Sequence, residues 1–341
     1  MSSSLKKSIR YRKFEKMKKI VYVTGCLGFI GSHFTRKCLN LGWLVYGIDK
    51  KTYAANLDVL QEFLNYQNFV FEQKDIKDIT FIPDCDYIVN FAAESHVENS
   101  IANSDNFINS NILGVRNLLE VLRYKNSNCV DVPLFCHVSS DEVYGDIAEG
   151  KHVETDLLKP SNPYSAAKAA ADMLVLAWSR TYNLNYVIVR PTNNYGTHQY
   201  PEKLIPITVY NLVRGRKTKL HNKGTPIRSW LHVQDTADAI FTILSSDIKN
   251  QIYNIAGSCE LSNLTTVENI LSCYFNLSKG QINFSDYIDD SLMRQGQDMR
   301  YSLNDEKLRA LGWTPKKEFS KEIKHIVSFY KSKFNWWVAK C

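Results

Sequence analysis

The sequence predicts an α/β fold, in which a doubly wound parallel sheet carries a smaller C-terminal α/β domain for substrate. Three observations point to it. An apolar run over residues 20–23 leads into Gly25-Cys26-Leu27-Gly28-Phe29-Ile30-Gly31, and the helical pattern over 29–41 follows at once. A second apolar run, 44–48, ends in Asp49, about 20 residues beyond the glycines. Short apolar runs and amphipathic stretches then alternate as far as residue 190, the pattern of parallel strands joined by crossover helices.

In chain order, the first strand, glycine turn and helix form a phosphate cradle. Gly25 permits the turn, Gly28 lets backbone approach a pyrophosphate, and Gly31 lets the helix pack closely. The free N–H groups and positive end of the helix face the phosphates. Asp49, at the second strand's end, is placed to accept the hydroxyls of an adenosine ribose. A loop over 50–57 leads to a helix, and residues 69–71 form a short strand. Asp75 and Ile76 follow, where an adenine could be flanked. The run 87–91 is a continuous apolar strand that opens into the small residues Ala92 and Ala93, over which a cofactor can lie. Residues 111–124 have helical periodicity, 134–138 form a strand, and 163–182 form a long Ala-rich helix with proline in its favoured first position. A strand over 186–189 ends in Arg190-Pro191.

Beyond residue 191 the pattern loosens into more Pro, Asn and Gly. Three regions are expected: a basic tail over 1–18, a dinucleotide-binding domain over 19–191, and a substrate domain over 192–341. A segment around 229–256, with a small strand at 252–255, returns to the first domain.

The charge of +7 lies entirely in residues 1–19, which hold eight Lys or Arg and one acid. The body is formally neutral, so nucleic acid and membrane are not expected partners, and the tail reads as a solvated arm. It has no apolar core of a secretory signal, and no run approaches the ~18 apolar residues of a membrane span. Eight scattered cysteines (26, 38, 85, 129, 136, 259, 273 and 341) form no CxxC pair or zinc-like cluster, so reduced thiols in a cytoplasmic compartment and no metal are expected.

Tyr164 and Lys168 stand four apart at the start of the long helix and share a face. A phenol is a poor base at neutral pH, and a nearby ammonium lowers its pKa, making Tyr164 a base toward an alcohol. Ser140, Asp141 and Glu142 at the preceding strand end add a hydroxyl and two acids. Two carboxyls in one closed site split their pKa values, giving one acid and one base.

These motifs, with Ala92-Ala93-Glu94-Ser95-His96-Val97, Asn193-Asn194-Tyr195-Gly196 and Pro201-Glu202-Lys203-Leu204-Ile205-Pro206, resemble the extended short-chain dehydrogenase/reductases of Rossmann fold. Within them the chain resembles the NAD-dependent nucleotide-sugar 4,6-dehydratases acting on dTDP-glucose or UDP-glucose. The acidic pair before Val143-Tyr144-Gly145 is the specific signal. The resemblance implies a lyase that removes water from the sugar, a first committed step toward a deoxysugar such as rhamnose. Tyr164, helped by Lys168 and Ser140, would take the O4 proton, Glu142 the C5 proton, and Asp141 would protonate the leaving O6. It further implies NAD contacts at Phe29, Ile30, Asp49, Lys50, Thr52, Asp75, Ile76, Phe91, Ala92, Ala93, Glu94, Ser110, Tyr164 and Lys168. Substrate contacts are implied at Ser95, Asn194, Lys203, Leu204, Lys219, His221, Arg228, Asn254, Arg294 and Gln297. Arg228 and Arg294 suit a diphosphate, since a guanidinium matches phosphate geometry. A homodimer built from the 101–124 and 163–182 helices is also implied.

Some positions depart from the family pattern. Ser140 replaces the usual threonine, Ala55 replaces a loop glycine, and Met293-Arg294-Gln295-Gly296-Gln297 replaces the bacterial Asp-Arg-Pro-Gly-His. The segments 298–301, 311–315 and 335–337 look more like eukaryotic-type enzymes, which favours UDP-glucose over dTDP-glucose. The alternative activities are a nucleotide-sugar 4-epimerase and a UDP-glucuronate decarboxylase.

Overall fold

The computed structural model describes residues 19–128 and 132–333. The basic tail, Cys129, Cys341 and the 335–337 segment lie outside the described residues. In chain order the first strands and helices are β1 (Ile20–Thr24), α1 (Phe29–Asn40), β2 (Leu44–Asp49), α2 (Leu57–Leu64), β3 (Phe69–Gln73), β4 (Tyr87–Asn90), α3 (Val97–Ala102), α4 (Asp105–Phe107), α5 (Val115–Asn128), β5 (Leu134–Val138), α6 (Pro163–Tyr182) and β6 (Tyr186–Pro191). There follow β7 (Asn193–Tyr195), α7 (Leu204–Val213), β8 (Thr218–His221), β9 (Ile227–His232), α8 (Val233–Leu244), β10 (Gln251–Ile255), β11 (Cys259–Ser262), α9 (Asn263–Phe275), β12 (Ile288–Leu292), α10 (Glu306–Arg309) and α11 (Phe319–Ser332).

The main sheet runs β3-β2-β1-β4-β5-β6-β10 with every pair parallel. This is the doubly wound order. The chain winds one way from β1 to β3 and then restarts on the other side of β1 at β4, so the crevice at the ends of β1 and β4 is the switch point where ligands bind. Register aligns the ends: Thr24 pairs with Ile48 on one side and Asn90 on the other.

Strand side chains alternate between two cores, as the two-residue period requires. Val21, Val23, Val45, Val89, Cys136 and Val189 pack with Phe34 and Cys38 of α1 and Ile240 and Ile243 of α8. Tyr22, Ile88, Phe135 and Ile188 face the other way, onto Leu118 and Leu122 of α5 and Ala171 and Val175 of α6. A third core, with Tyr195, Ile205, Val209, Trp230, Ile270 and Ile326, belongs to the smaller C-terminal part.

Local chemistry explains the element that positions Tyr164 and Lys168. Asn162 caps α6 by accepting from the backbone N–H of Ser165 at 2.9 Å, and the Ser165 hydroxyl accepts from the Asn162 N–H in return. With Pro163 next, the helix start is fixed on both sides. Asn183 ends the helix in the left-handed region at φ 56°.

Two details differ from expectation. The helix expected over 111–124 begins earlier: residues 108–114 form a π-helical turn that runs into α5. The widened turn sets Asn111 facing the end of β4, where its amide clasps both backbone groups of Glu94. The returning segment expected from 229 begins later. Strand β9 pairs with β7 and β11 in a separate three-stranded sheet, and it is α8 and β10 that pack with the main sheet. Leu308 and Trp313, far along the chain, also pack in the main-sheet core.

Candidate active site

A cavity of about 1130 Å³ opens along the C-terminal edge of the main sheet, beneath α7, β8 and β9. That exceeds the roughly 300–1,000 Å³ of a pocket for one small ligand. One end is the glycine cradle. Gly25 sits at φ +69°, and a Cβ there would lie 2.7 Å from the Ala92 nitrogen, so the backbone just after β4 passes directly against the turn. A Cβ on Gly31 would strike the Gly25 carbonyl oxygen. Gly28 caps α1 with no side-chain acceptor, leaving the first-turn N–H groups of the helix without partners in the turn.

Asp49 accepts from the Leu27 N–H at 3.1 Å and from the Lys51 N–H at 2.7 Å. It therefore ties the glycine turn to the next loop and still has lone pairs for a diol. Lys50 is held by two acids, Glu94 at 3.6 Å and Asp75 at 3.8 Å, so its charge is already answered. A shape that admits backbone-close phosphates, unpaired helix N–H groups and a carboxylate beyond β2 together fit a dinucleotide with a free ribose diol, which is NAD and not its 2′-phosphate.

The other end holds the chemistry. Asp141 is 3% exposed, and its Oδ1 accepts from the Ser140 hydroxyl at 3.1 Å. Its Oδ2 is buried with no partner. Burial, then the charge of Glu142, pushes its pKa up to about 8. Burial also raises Glu142, but Arg228, Lys203 and Arg294 pull it back, so it loses its proton more readily than a buried carboxyl alone would. Both carboxyls are thus raised by burial, and three cations oppose the shift at Glu142.

Tyr164 and Lys168 both line this end, but not in the relation the spacing suggested. Burial and the charges of Glu142 and Asp141 raise the Tyr164 phenol above its ordinary value, and only the Ser140 hydroxyl opposes them. The Lys168 ammonium donates to the Val138 carbonyl at 2.6 Å and is itself pushed down to about 8 by burial. Burial is the main influence on the Tyr164 phenol, with the charge of Glu142 next, and Lys168 is turned to the Val138 carbonyl.

Every cofactor residue expected from sequence lines the cavity, as do all the substrate residues except one. Asn254 is the exception. It is fully buried on β10, accepting from the Tyr144 hydroxyl at 2.9 Å and donating to the His152 carbonyl at 3.1 Å. Asn194 reaches the lining, but its amide is occupied by Thr192 and Thr236. Lys203 donates to the Ser95 carbonyl at 2.7 Å, and His221 meets Glu98 at 2.7 Å, so both tie the two sides of the cleft together. Arg228 gives two N–H groups to the backbone at Ile227 and Asp298 and lies close enough to lower both catalytic acids. Arg294 has a buried Nε with no partner.

A family model described as GDP-mannose 4,6 dehydratase matches residues 22–326. The chain belongs to this family of extended short-chain dehydrogenase/reductases. The low-salt glycan biosynthesis protein Agl12 of Haloferax volcanii is 39% identical over 315 residues, spanning 91% of this chain and 98% of the relative. A dTDP-glucose 4,6-dehydratase of Haemophilus influenzae is 39% identical over 328 residues, 91% of this chain and 97% of its own length. Among solved structures, DesIV of Streptomyces venezuelae, a dTDP-glucose 4,6-dehydratase with NAD and TYD bound, is 34% identical with a TM-score of 0.85, covering 94% of this chain and 100% of that one. The family placement agrees with the nucleotide-sugar dehydratase resemblance that the motifs carry.

Residues unremarked in the sequence also belong to the site. Asn111 fixes the backbone at Glu94. Tyr301 and Asp298 stand behind Glu142. Beneath Lys168 lies a buried chain of Thr24, Asn90, His137, Asp172, Arg190 and Tyr144. No local spacing marks these residues, because their partners come from distant strands.

Proposed function

We propose that this chain is an NAD-dependent nucleotide-glucose 4,6-dehydratase, converting dTDP-glucose or UDP-glucose to the 4-keto-6-deoxy sugar and water. The observation that carries the reading is the buried Asp141–Glu142 pair beside Ser140 and Tyr164 at the catalytic end of the cavity. A 4-epimerase needs a single hydroxyl acid–base, whereas elimination of water needs a further acid and a further base.

The cradle at Gly25, Gly28 and Gly31 and the Asp49 carboxylate hold the NAD, which when bound accepts hydride from C4 and returns it at C6, so net redox is zero. Tyr164, beside Ser140, takes the O4 proton. Protonation of Asp141 removes one of the two charges that oppose a phenolate there, so the state that readies the acid also readies the base. The resulting ketone at C4 acidifies C5–H, and Glu142 removes that proton. Asp141 gives its own proton to O6, which leaves as water. Arg294 and Arg228 supply positive charge for the diphosphate, with Arg228 shared toward the carboxyls.

Asp141 must hold its proton to act, so kcat is expected to fall as pH rises through about 8. Glu142 must be ionised, so the acid limb falls at a higher pH than an exposed glutamate would set. A rate that climbs steadily through pH 8 would contradict these roles.

The direct test offers dTDP-glucose and UDP-glucose separately to the purified protein, with no cofactor added, and weighs the product. Loss of one water supports the dehydratase; unchanged mass supports a 4-epimerase, and release of carbon dioxide from UDP-glucuronate supports a decarboxylase. The relatives named for a nucleotide carry dTDP, which makes dTDP-glucose the first substrate to offer. Among the described residues no helix is long and apolar enough to cross a membrane, and a cytoplasmic location suits the free thiols.

A homodimer is part of the same proposal. Ile101, Ile108, Leu113, Tyr124 and Met173 are exposed on the α3, π-turn, α5 and α6 side. A sedimentation coefficient of a monomer at every concentration would count against it.

A further inference from the structure

We propose that Asp172 is a positioning residue for Lys168, the buried counter-charge that keeps this lysine a cation; the inference rests on the dehydratase reading, which gives Lys168 its part in the reaction. The two stand four apart on α6 and share a face of the helix. Lys168 is buried and lines the catalytic end of the cavity, whereas Asp172, one turn further along, is fully buried and forms no part of the lining. It therefore acts through the lysine and not on the reacting atoms. Its Oδ2 accepts from Arg190 Nε at 3.0 Å and pairs with an Nη of that guanidinium at 2.9 Å. Its Oδ1 is left outside this pair, buried with no hydrogen-bond partner and 3.8 Å from His137 Nε2. An ion pair built for strength alone would use both oxygens, fork to fork. Here half of the carboxylate is kept out of it.

An ammonium has three N–H groups, and that of Lys168 gives one to the Val138 carbonyl at 2.6 Å. Two N–H groups and a positive charge remain for the cavity. As a neutral amine the side chain would keep one spare N–H and no charge. Burial favours the amine, so a charge must oppose it. The groups around the lysine leave one candidate. On its own helix, Tyr164 keeps its proton, since burial raises the phenol. On β5, His137 is neutral, because burial drives its pKa well down and the charges of Lys168 and Arg190 push the same way. Beyond β5, Asp141 is protonated below about pH 8, and Glu142 answers to Arg228, Lys203 and Arg294. On β6, Arg190 is a second cation on the same carboxylate. Among the described residues, Asp172 is the charge that opposes burial at Lys168, and Lys168 in turn favours the ionised Asp172. One carboxylate thus serves two cations, Arg190 by contact through Oδ2 and Lys168 through its field.

The test follows the charge of Lys168 directly, in the protein with NAD bound. Lysine labelled with carbon-13 at Cε reports the protonation of its own amine by NMR, and the Lys168 signal is assigned by its loss in Lys168→Met. In wild type this signal is expected to titrate at about pH 8. Asp172→Asn keeps the shape and an acceptor for Arg190 but removes the charge, and should move the midpoint down by at least about one pH unit. With dTDP-glucose or UDP-glucose, whichever wild type turns over, its kcat near neutral pH should fall about tenfold while KM stays within about threefold. A merely structural role would slow turnover without moving the titration of the lysine. If Asp172→Asn does not fold, Asp172→Leu, Arg190→Met carries the same measurement, because it strands no guanidinium and still removes the counter-charge. An unchanged midpoint in the folded variant, or a lowered midpoint with an unchanged kcat, overturns the proposal. A wild-type protein that removes no water from either substrate overturns the dehydratase reading instead, and the titration is read without substrate, so the two failures are told apart.

Discussion

The Asp141→Asn, Glu142→Gln double variant is expected to lose at least about a thousandfold in product formation while still reducing part of its bound NAD when sugar nucleotide is added. Both replacements keep the size and shape of the side chain, so the cavity and the Ser140 contact survive. What goes is the ability to give and take protons. An amide at 141 has no acidic proton for O6, and an amide at 142 cannot accept one from C5. Tyr164 remains, so oxidation at C4 can proceed and then stalls. The effects of the two single changes are not expected to add, because acid and base act on one elimination. Absorbance of the reduced nicotinamide and the mass of the sugar, followed in one reaction, separate the two stages. Full activity in the double variant would remove the central argument for dehydration, and failure even to reduce NAD would mean that the acids serve the first step.

Much of this site was legible because its signals are local. The cradle needs three glycines at fixed spacing, and each has a physical reason in the folded chain: Gly25 meets Ala92, and Gly31 meets Gly25. Asp49 was readable as a strand-end acid, and α6 was readable from Pro163 and the alanine pattern. The parallel, doubly wound sheet was readable from the alternation of apolar runs and helical stretches. The electrostatics were not readable. The spacing of Tyr164 and Lys168 says that they share a face, but not that Lys168 donates to the Val138 carbonyl or that burial, with the charge of Glu142, raises the phenol. Asn254 was misplaced for a related reason. A polar residue on a strand end looks the same in sequence whether it faces a ligand or, as here, Tyr144 and His152.

Strand β9 shows a different limit. Its residues Ile227–His232 are nearly all buried, so no two-residue alternation tells which sheet it joins. Its partners decide: β7 lies 37 residues earlier in register, as with Asn193 opposite Trp230, and β11 follows in antiparallel register. Tyr301 is equally hidden, since it reaches Glu142 across 159 residues of chain.

The buried network beneath Lys168 leads to the second large effect. Asp172→Ala is expected to destabilise the protein by about 3–5 kcal/mol, read as a fall in the urea midpoint of unfolding. Asp172 is fully buried, and its Oδ2 accepts a hydrogen bond from Arg190 Nε at 3.0 Å and pairs with an Nη of the same guanidinium at 2.9 Å. Arg190 is 2% exposed, and its other Nη donates to the Tyr144 hydroxyl at 2.6 Å. His137 gives no help as a cation, because burial drives its pKa well down. Asn90 accepts from Thr24 through its carbonyl, so its NH₂ donates to His137 Nδ1, and the imidazole proton sits on Nε2, turned toward Asp172. Removing the Asp172 carboxylate therefore leaves a guanidinium in the core with a phenol as its only remaining side-chain acceptor among the described contacts, and withdraws the one charge that supports the Lys168 ammonium. The cost belongs to the stranded charge more than to the lost pair, which the double variant Asp172→Leu, Arg190→Met tests: with both charges gone, most of the stability should return. If the double variant were no more stable than Asp172→Ala, the loss would lie in packing. The Lys168 effect separates from both, since the double variant should recover its fold and still turn over slowly, its lysine left without a counter-charge.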